Sequence, residues 1–262
     1  MNAVCLASSS AGNCYLLTLE CGDRKRTIMV ECGIPARAIL SGMTANGISA
    51  SDVEACLVTH YHGDHSRSIK EVGRWGIPVY THAETLSHCG AEGYALEELK
   101  PTAIADGVKV LPFAVKHDAE GSLGFVIKTR DECVIFVNDC KYWEANLANF
   151  KPDYVFIECN YWEKQVYAEI GSMRRQIQSG ELPQGEEVSL RGLIKQYERN
   201  VNAHMSLAGC VRSLKKLDLS RCKAIFLMHL SDANANEYEM RDRIAKETKV
   251  KTVVCRKKGG IN

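Results

Sequence analysis

Thr59-His60-Tyr61-His62-Gly63-Asp64-His65 sets three imidazoles and a carboxylate within six residues, directly after the apolar run Ala55-Cys56-Leu57-Val58. Side chains alternate along an extended chain, so His60 and His62 point to the same side. A turn at Gly63 lets Asp64 and His65 face a neighbouring point. Imidazole nitrogen and carboxylate oxygen are donors that Zn²⁺ accepts. A lone histidine is explained by an ordinary core or surface role. Four candidate ligands at the end of a buried strand are not, and they need further ligands from elsewhere in the chain.

The rest of the composition fits an ordinary folded protein. The 262 residues are 45% apolar and 25% charged, with a formal net charge of +1. These values exclude a disordered or collagen-like chain. No run of about 18 apolar residues is present, so no transmembrane helix is expected. The start, Met1-Asn2-Ala3-Val4-Cys5, shows no basic region followed by a long apolar stretch, so a cytoplasmic location without a signal peptide is expected. The 12 cysteines are scattered and form no CxxC pair, which predicts reduced, buried thiols rather than a cysteine metal site. The net charge hides an asymmetry. Residues 1–160 carry 14 basic and 20 acidic side chains, and residues 161–262 carry 19 and 12. A basic half suits an anionic substrate, although solvated helix faces produce the same count.

Periodicity predicts strands at Ala3–Ala7, Cys14–Glu20, Thr27–Val30, Ala55–Thr59, Pro78–Thr81, Val108–Val115, Leu123–Thr129, Cys133–Val137, Tyr154–Ile157, Ala224–Met228 and Val250–Cys255. Helices are predicted at Ala36–Asn46, Ser66–Trp75, Tyr142–Phe150, Glu163–Gln178, Leu190–Arg199, Ser206–Leu217 and Asn234–Thr248. A polar break, Ser179 to Gly185, divides two of them. Interleaved strands and helices without a linker favour one α/β domain, residues 1–262, with a layered sheet core.

At His60, His62, Asp64 and His65 the chain resembles the metallo-β-lactamase-fold hydrolases, whose signature is HxHxDH after a strand. The resemblance extends along the chain. Ser8-Ser9-Ser10-Ala11-Gly12-Asn13-Cys14-Tyr15-Leu16-Leu17 is similar to the opening of the WalJ-like (YycJ-like) branch. So are Met29-Val30-Glu31-Cys32-Gly33-Ile34, Glu158-Cys159-Asn160-Tyr161, His204-Met205-Ser206 and His229-Leu230-Ser231. Glu31 stands where that branch has Asp, and the stretch from Gln165 to Val201 is longer. The resemblance implies a four-layer αββα sandwich of two mixed sheets flanked by helices, with a helical elaboration at about 163–203. It implies that His60, His62 and His117 hold one divalent ion and Asp64, His65 and His229 a second, with Asp139 bridging. Zn²⁺ is the first choice, with Mn²⁺ and Fe²⁺ as substitutes. His82 and His88 match no part of the pattern and read as structural or surface residues.

Such a pair of ions implies hydrolysis by a shared hydroxide, with Asp64 orienting it. His204 is the candidate proton donor to a leaving alkoxide. Glu158 would orient it, as the tRNase Z group suggests by a Glu and a His-Ser-Thr triplet in comparable places. The expected reaction is phosphodiester cleavage in DNA, RNA or a cyclic nucleotide. A nuclease needs a long basic groove. A cyclic-nucleotide phosphodiesterase needs an enclosed pocket, completed by the 165–200 segment or by a second subunit of a homodimer. The alternatives are a thioesterase or lactonase on the same scaffold, which needs no His204, and a non-catalytic binding module, which would not need to keep the full ligand set.

Overall fold

Alternation along the strands decides the layering. In β2 (Gly12–Cys21), Tyr15, Leu17 and Leu19 enter one apolar cluster, while Cys14 and Leu16 enter another. In β10 (Cys133–Val137), Val134 and Phe136 join the cluster of Tyr15, while Cys133, Ile135 and Val137 join a third. Both faces of these strands are therefore buried, which is why they read as continuous apolar runs. The computed structural model describes residues 1–183, 185–231 and 234–261; Gln184, within the polar break, lies outside the described residues.

The first sheet runs β1 (Asn2–Ser9), β2, β3 (Arg24–Val30), β4 (Val53–Leu57), β5 (Val79–Thr81), β6 (Tyr94–Ala95). Its first three strands pair antiparallel and the rest parallel. The second runs β11 (Tyr142–Trp143), β8 (Val108–Lys116), β9 (Leu123–Lys128), β10, β12 (Tyr154–Glu158), β13 (Ala224–Met228), β14 (Thr252–Val254), with β7 (Thr102–Ala105) also on β8. Here β10, β12, β13 and β14 are parallel. Strand β9 is antiparallel to both β8 and β10, so β8 runs in the same direction as β10.

The central cluster lies between the sheets, where Phe156 stacks on Phe226 at 4.2 Å and on Phe136 at 5.8 Å. Outside the first sheet lie α1 (Ala36–Ala45), α2 (Gly63–Ser66), α3 (Ile69–Arg74) and α4 (Ala83–Cys89); Ile39, Met43, Ile69 and Val72 cover its outer face. Outside the second, α7 (Leu207–Leu214) and α8 (Glu237–Thr248) supply Leu207, Cys210, Leu214, Met240 and Ile244. The result is the expected αββα sandwich. Between β12 and β13 lie two packed helices, α5 (Glu163–Ser179) and α6 (Glu186–Ala203), around Val166, Ile170 and Ile194. All 12 cysteines are unpaired. Among the described residues no helix is long and apolar enough to cross a membrane.

Two local expectations are corrected. Tyr142–Phe150 is not a helix: Tyr142 and Trp143 pair with Lys116 and Val115, and the Asn146 side chain accepts from the Ala148 amide. That local bond is the one by which Asn favours turns over helices. Ser66–Trp75 is broken, because the Ser68 amide and hydroxyl bond back to the carbonyls of Cys32 and Ile34.

Removing a fully buried ring at the sheet interface leaves a cavity that strands on two sides cannot close. Phe156→Ala is expected to cost about 3–5 kcal/mol of stability in urea unfolding at constant metal concentration.

Candidate metal centre and active site

The shared direction of β4, β8, β10, β12 and β13 within their sheets gathers the chemistry at one rim. His60 follows β4, His117 follows β8, Asp139 follows β10, Glu158 ends β12 and His229 follows β13. Carboxyl ends of parallel strands are where α/β folds place ligands. The β1–β2 turn reaches the same rim, since β2 is antiparallel to β3. Three residues immediately or closely beyond these strands hold left-handed backbone without being glycine: Glu31 (φ 65°), Asp139 (46°) and His229 (54°). Such conformations cost of order 1–3 kcal/mol each and persist where the surroundings enforce them. Here the reversal lets a side chain leave the strand end and turn toward the rim.

Two groups of donors converge there. His60 Nε2 and His117 Nε2 lie 3.0 and 3.3 Å from His62 Nδ1. Beside them, His65 Nε2 is 3.3 Å from Asp64 Oδ2 and 3.3 Å from Asp139 Oδ2; His229 Nε2 is 3.6 Å from Asp64 Oδ2 and 3.5 Å from Asp139 Oδ1. Asp139 stands between the groups, with Oδ2 3.9 Å from His117 Nε2. Ligands placed tetrahedrally about 2.0–2.1 Å from Zn²⁺ stand roughly 3.3 Å apart, so the spacing suits a small cation in each group. Asp139 Oδ1 and His229 Nε2 are buried and form no hydrogen bond within the protein. Orphan atoms of this kind are what a cation would satisfy.

Charge divides the two groups: the first keeps neutral rings, whereas in the second, against burial, Asp139 and Glu31 raise His65 well above the ordinary imidazole range. Burial and the neighbouring His65 hold His60 well below the ordinary imidazole range, and burial with His117 lowers His62. Neutral rings keep a lone pair for a cation. Burial opposes the charge on Asp64, but His229 and His65 outweigh it and hold the carboxylate well below its usual range. The same two histidines lower Asp139 against its burial.

A third group adjoins these. His204 Nδ1 lies 2.6 Å from Glu158 Oε1, and the other Glu158 oxygen accepts from the amides of Cys140 (2.6 Å) and Met205 (3.2 Å). Glu158 is fully buried and rigidly held, and its bond to Nδ1 leaves His204 Nε2 to carry a transferable proton. Burial opposes the charged imidazole; Glu158, Asp139 and Asp118 outweigh it, and the group is pushed up to about 9. The ring stacks on His229 at 5.2 Å and meets His117 at 5.5 Å, so it flanks both donor groups.

Residues 26–230 match the family model described as the β-lactamase superfamily domain. The chain belongs to that family of metallo-β-lactamase-fold hydrolases. Over 168 residues it is 24% identical to exodeoxyribonuclease WalJ of Streptococcus pneumoniae, covering 60% of this chain and 61% of WalJ. It thus spans less than two thirds of that relative. Among solved structures, the metallo-β-lactamase-fold protein YhfI of Bacillus subtilis superposes with a TM-score of 0.69 at 17% identity, over 99% of this chain and 98% of YhfI. The short form of human tRNase Z gives 0.53 at 15% identity, over 89% and 94%.

In this superfamily member the ligand-type residues rest on a second layer that motif reading had mostly passed over. The Thr59 hydroxyl donates to Glu31 Oε1 at 2.6 Å, so its oxygen is left to accept from His60 Nδ1 at 2.9 Å. That fixes the His60 tautomer with Nε2 facing the donor group. His117 Nδ1 points to the Ala203 carbonyl at 3.1 Å, which again turns Nε2 inward. Glu31 also lies 3.2 Å from His65 Nδ1, so its longer side chain serves Thr59 and His65 together. Asn160 donates to the His229 carbonyl at 2.8 Å, and Ser8 accepts from the His229 amide at 3.0 Å. Asn13 reaches the Asp64 carbonyl and His65 Nε2. The Ser8–Asn13 loop therefore lines the base of the site through buried side chains. His82 caps α4 and His88 stacks on Tyr61, so neither joins the donor groups.

Gly33 lets the exit of β3 press against the HxHxDH turn. A Cβ there would lie 1.7 Å from the Asp64 carbonyl oxygen, which is backbone that cannot swing aside. Gly33→Ala is expected to displace Asp64 and His65, lowering stability by more than about 2 kcal/mol. Zinc titration by calorimetry should show weakened uptake in the same variant.

Proposed function

We propose that this chain is a two-metal phosphodiesterase acting on a nucleic acid or a nucleotide. The reading rests on one observation above all: the His204–Glu158 pair beside two converging donor groups. The similarity to exodeoxyribonuclease WalJ and the shared fold with tRNase Z point the same way. His60, His62 and His117 would hold one ion, and Asp64, His65 and His229 the other, with Asp139 shared. When bound, the ions supply a water activated near neutral pH and positive charge for the phosphoryl oxygens.

The chain's own residues do the rest. The Asp64 carboxylate, kept ionised beside His65 and His229, accepts a hydrogen bond from the attacking water and orients it. His204, charged and held through Nδ1, donates from Nε2 to the departing alkoxide as the ester bond breaks. Glu158 is buried and takes three hydrogen bonds, so it positions the imidazole and stabilises its charge rather than reacting. A thioester needs no donor so placed, because a thiolate leaves unprotonated.

The leaving group separates these readings. An alkoxide needs a proton, whereas p-nitrophenolate leaves without one. With zinc or manganese, turnover of bis(p-nitrophenyl) phosphate and of either a DNA or RNA strand or a cyclic mononucleotide is expected. His204→Ala should slow the natural-type substrate by about 10²–10⁴-fold and bis(p-nitrophenyl) phosphate far less, with metal content unchanged. Elemental analysis should find two ions per chain in the wild type and fewer in His62→Ala. An Asp64→Ala control excludes contaminating nuclease. No phosphodiester turnover in fully loaded protein would falsify the reading, and full activity of His204→Ala on its best substrate would favour the thioesterase.

A further inference from the structure

Helix α6 ends at the site. The carbonyl of Ala203, its last residue, holds His117, and His204 caps it. Back along the helix, Asn202, Arg199 and Lys195 fall at intervals of three and four residues and share one exposed face. The spacing gives roughly 6 Å of rise from Lys195 to Arg199 and roughly 10 Å from Lys195 to Asn202. Their basic neighbours are already neutralised: Arg174 pairs with Glu198 and Arg191 with Glu187. Among the described residues Lys195 and Arg199 form no ion pair. Both line one shallow groove of about 630 Å³ with Asn202.

At the site end the face continues onto the second sheet. Lys141 donates from Nζ to Asn202 Oδ1 at 3.0 Å. Tyr142 is 45% exposed and pairs across strands with Lys116, the residue before His117. An exposed aromatic ring flanked by lysines, leading onto a spaced cationic face, combines the two elements that hold single strands: stacking for bases and positive charge for phosphates.

We propose that this surface, from Tyr142 and Lys141 along Asn202, Arg199 and Lys195 of α6, is the track that binds a single nucleic-acid strand and feeds it to the site. The proposal rests on the phosphodiesterase reading and narrows its substrate to a strand several nucleotides long. Along the track, successive phosphates lie on Arg199 and Lys195 while a base near the site stacks on Tyr142.

The test compares metal-loaded wild type with Lys195→Glu/Arg199→Glu and, separately, Tyr142→Ala. None of these residues touches the donor groups. Substrates are single-stranded DNA and RNA of 4 and 20 nucleotides, duplex DNA, a cyclic mononucleotide and bis(p-nitrophenyl) phosphate. The expected result is a KM for the 20-mer raised at least tenfold in the double variant. The slope of log affinity against log salt should become shallower by about 1.4, two single-strand phosphate contacts at about 0.7 each. Turnover of bis(p-nitrophenyl) phosphate should be unchanged, and Tyr142→Ala should raise the KM for strands alone. Wild-type cleavage of strands with unaltered KM and salt slope in the variants overturns the track while leaving the phosphodiesterase reading intact. Turnover of cyclic mononucleotide or duplex in place of single strands also overturns it. Absence of any phosphodiester cleavage by the wild type overturns both.

Discussion

Seven donors aimed at one another impose the central constraint on this molecule. His60, His62 and His117 bring ring nitrogens to within 3.0–3.3 Å, and Asp64, His65, Asp139 and His229 do the same at 3.3–3.6 Å. In the first group ring nitrogen faces ring nitrogen, which is costly unless something of opposite character satisfies it; in the second, carboxylates face imidazoles and are held close by charge. A hydrophobic sandwich has to supply the stability that holds such a rim in place. It does so with fully buried strands on both sides of the donors: Leu57 before His60, Val137 before Asp139 and Met228 before His229 are all inaccessible to solvent.

Holding the donors is a matter of backbone as much as of side chains. Asp139 and His229 adopt left-handed conformations where their strands end. In each case the neighbouring groups fix the reversal. The Cys140 amide is bonded to Glu158, and the His229 amide and carbonyl are bonded to Ser8 and Asn160. Glu158 thereby acts twice, locking the Asp139–Cys140 turn and orienting His204. The proposed acid and Asp139 are coupled through one buried side chain, so a change at Glu158 would disturb both.

What was legible in the sequence follows from range. His60, His62, Asp64 and His65 stand together and declare their chemistry by spacing alone. His117, Asp139 and His229 were implied by the family resemblance; each also ends an apolar run, and parallel strands bring such ends together. The αββα layering was implied by the family resemblance and is visible in the alternation of β2 and β10. Glu31 serving both Thr59 and His65 was not legible, since it depends on a contact 28 residues away and on one added methylene. The roles of Asn13 and Asn160 were hidden for the same reason. Tyr142–Phe150 was misread because pairing with β8 and the Asn146 turn override its helical pattern.

Charge shows how an overall count can mislead and a local one inform. The acidic excess of residues 1–160 includes Glu31, Asp64, Asp139 and Glu158, all gathered around histidines rather than spread over the surface. The basic excess of residues 161–262 is partly spent in structure. Arg221 and Lys223 both close on buried Asp153, and Lys215 and Arg243 close on Glu247. What is left of the field therefore depends on which cations lack a carboxylate and where the fold sets them. Lys195 and Arg199 meet both conditions, on a helix whose last carbonyl holds His117. A half-chain total of +7 would have suited any basic surface; among the described residues Lys216, Lys246 and Lys251 also form no ion pair, so it is the place on α6, not the lack of a carboxylate alone, that singles out Lys195 and Arg199 for the proposed track.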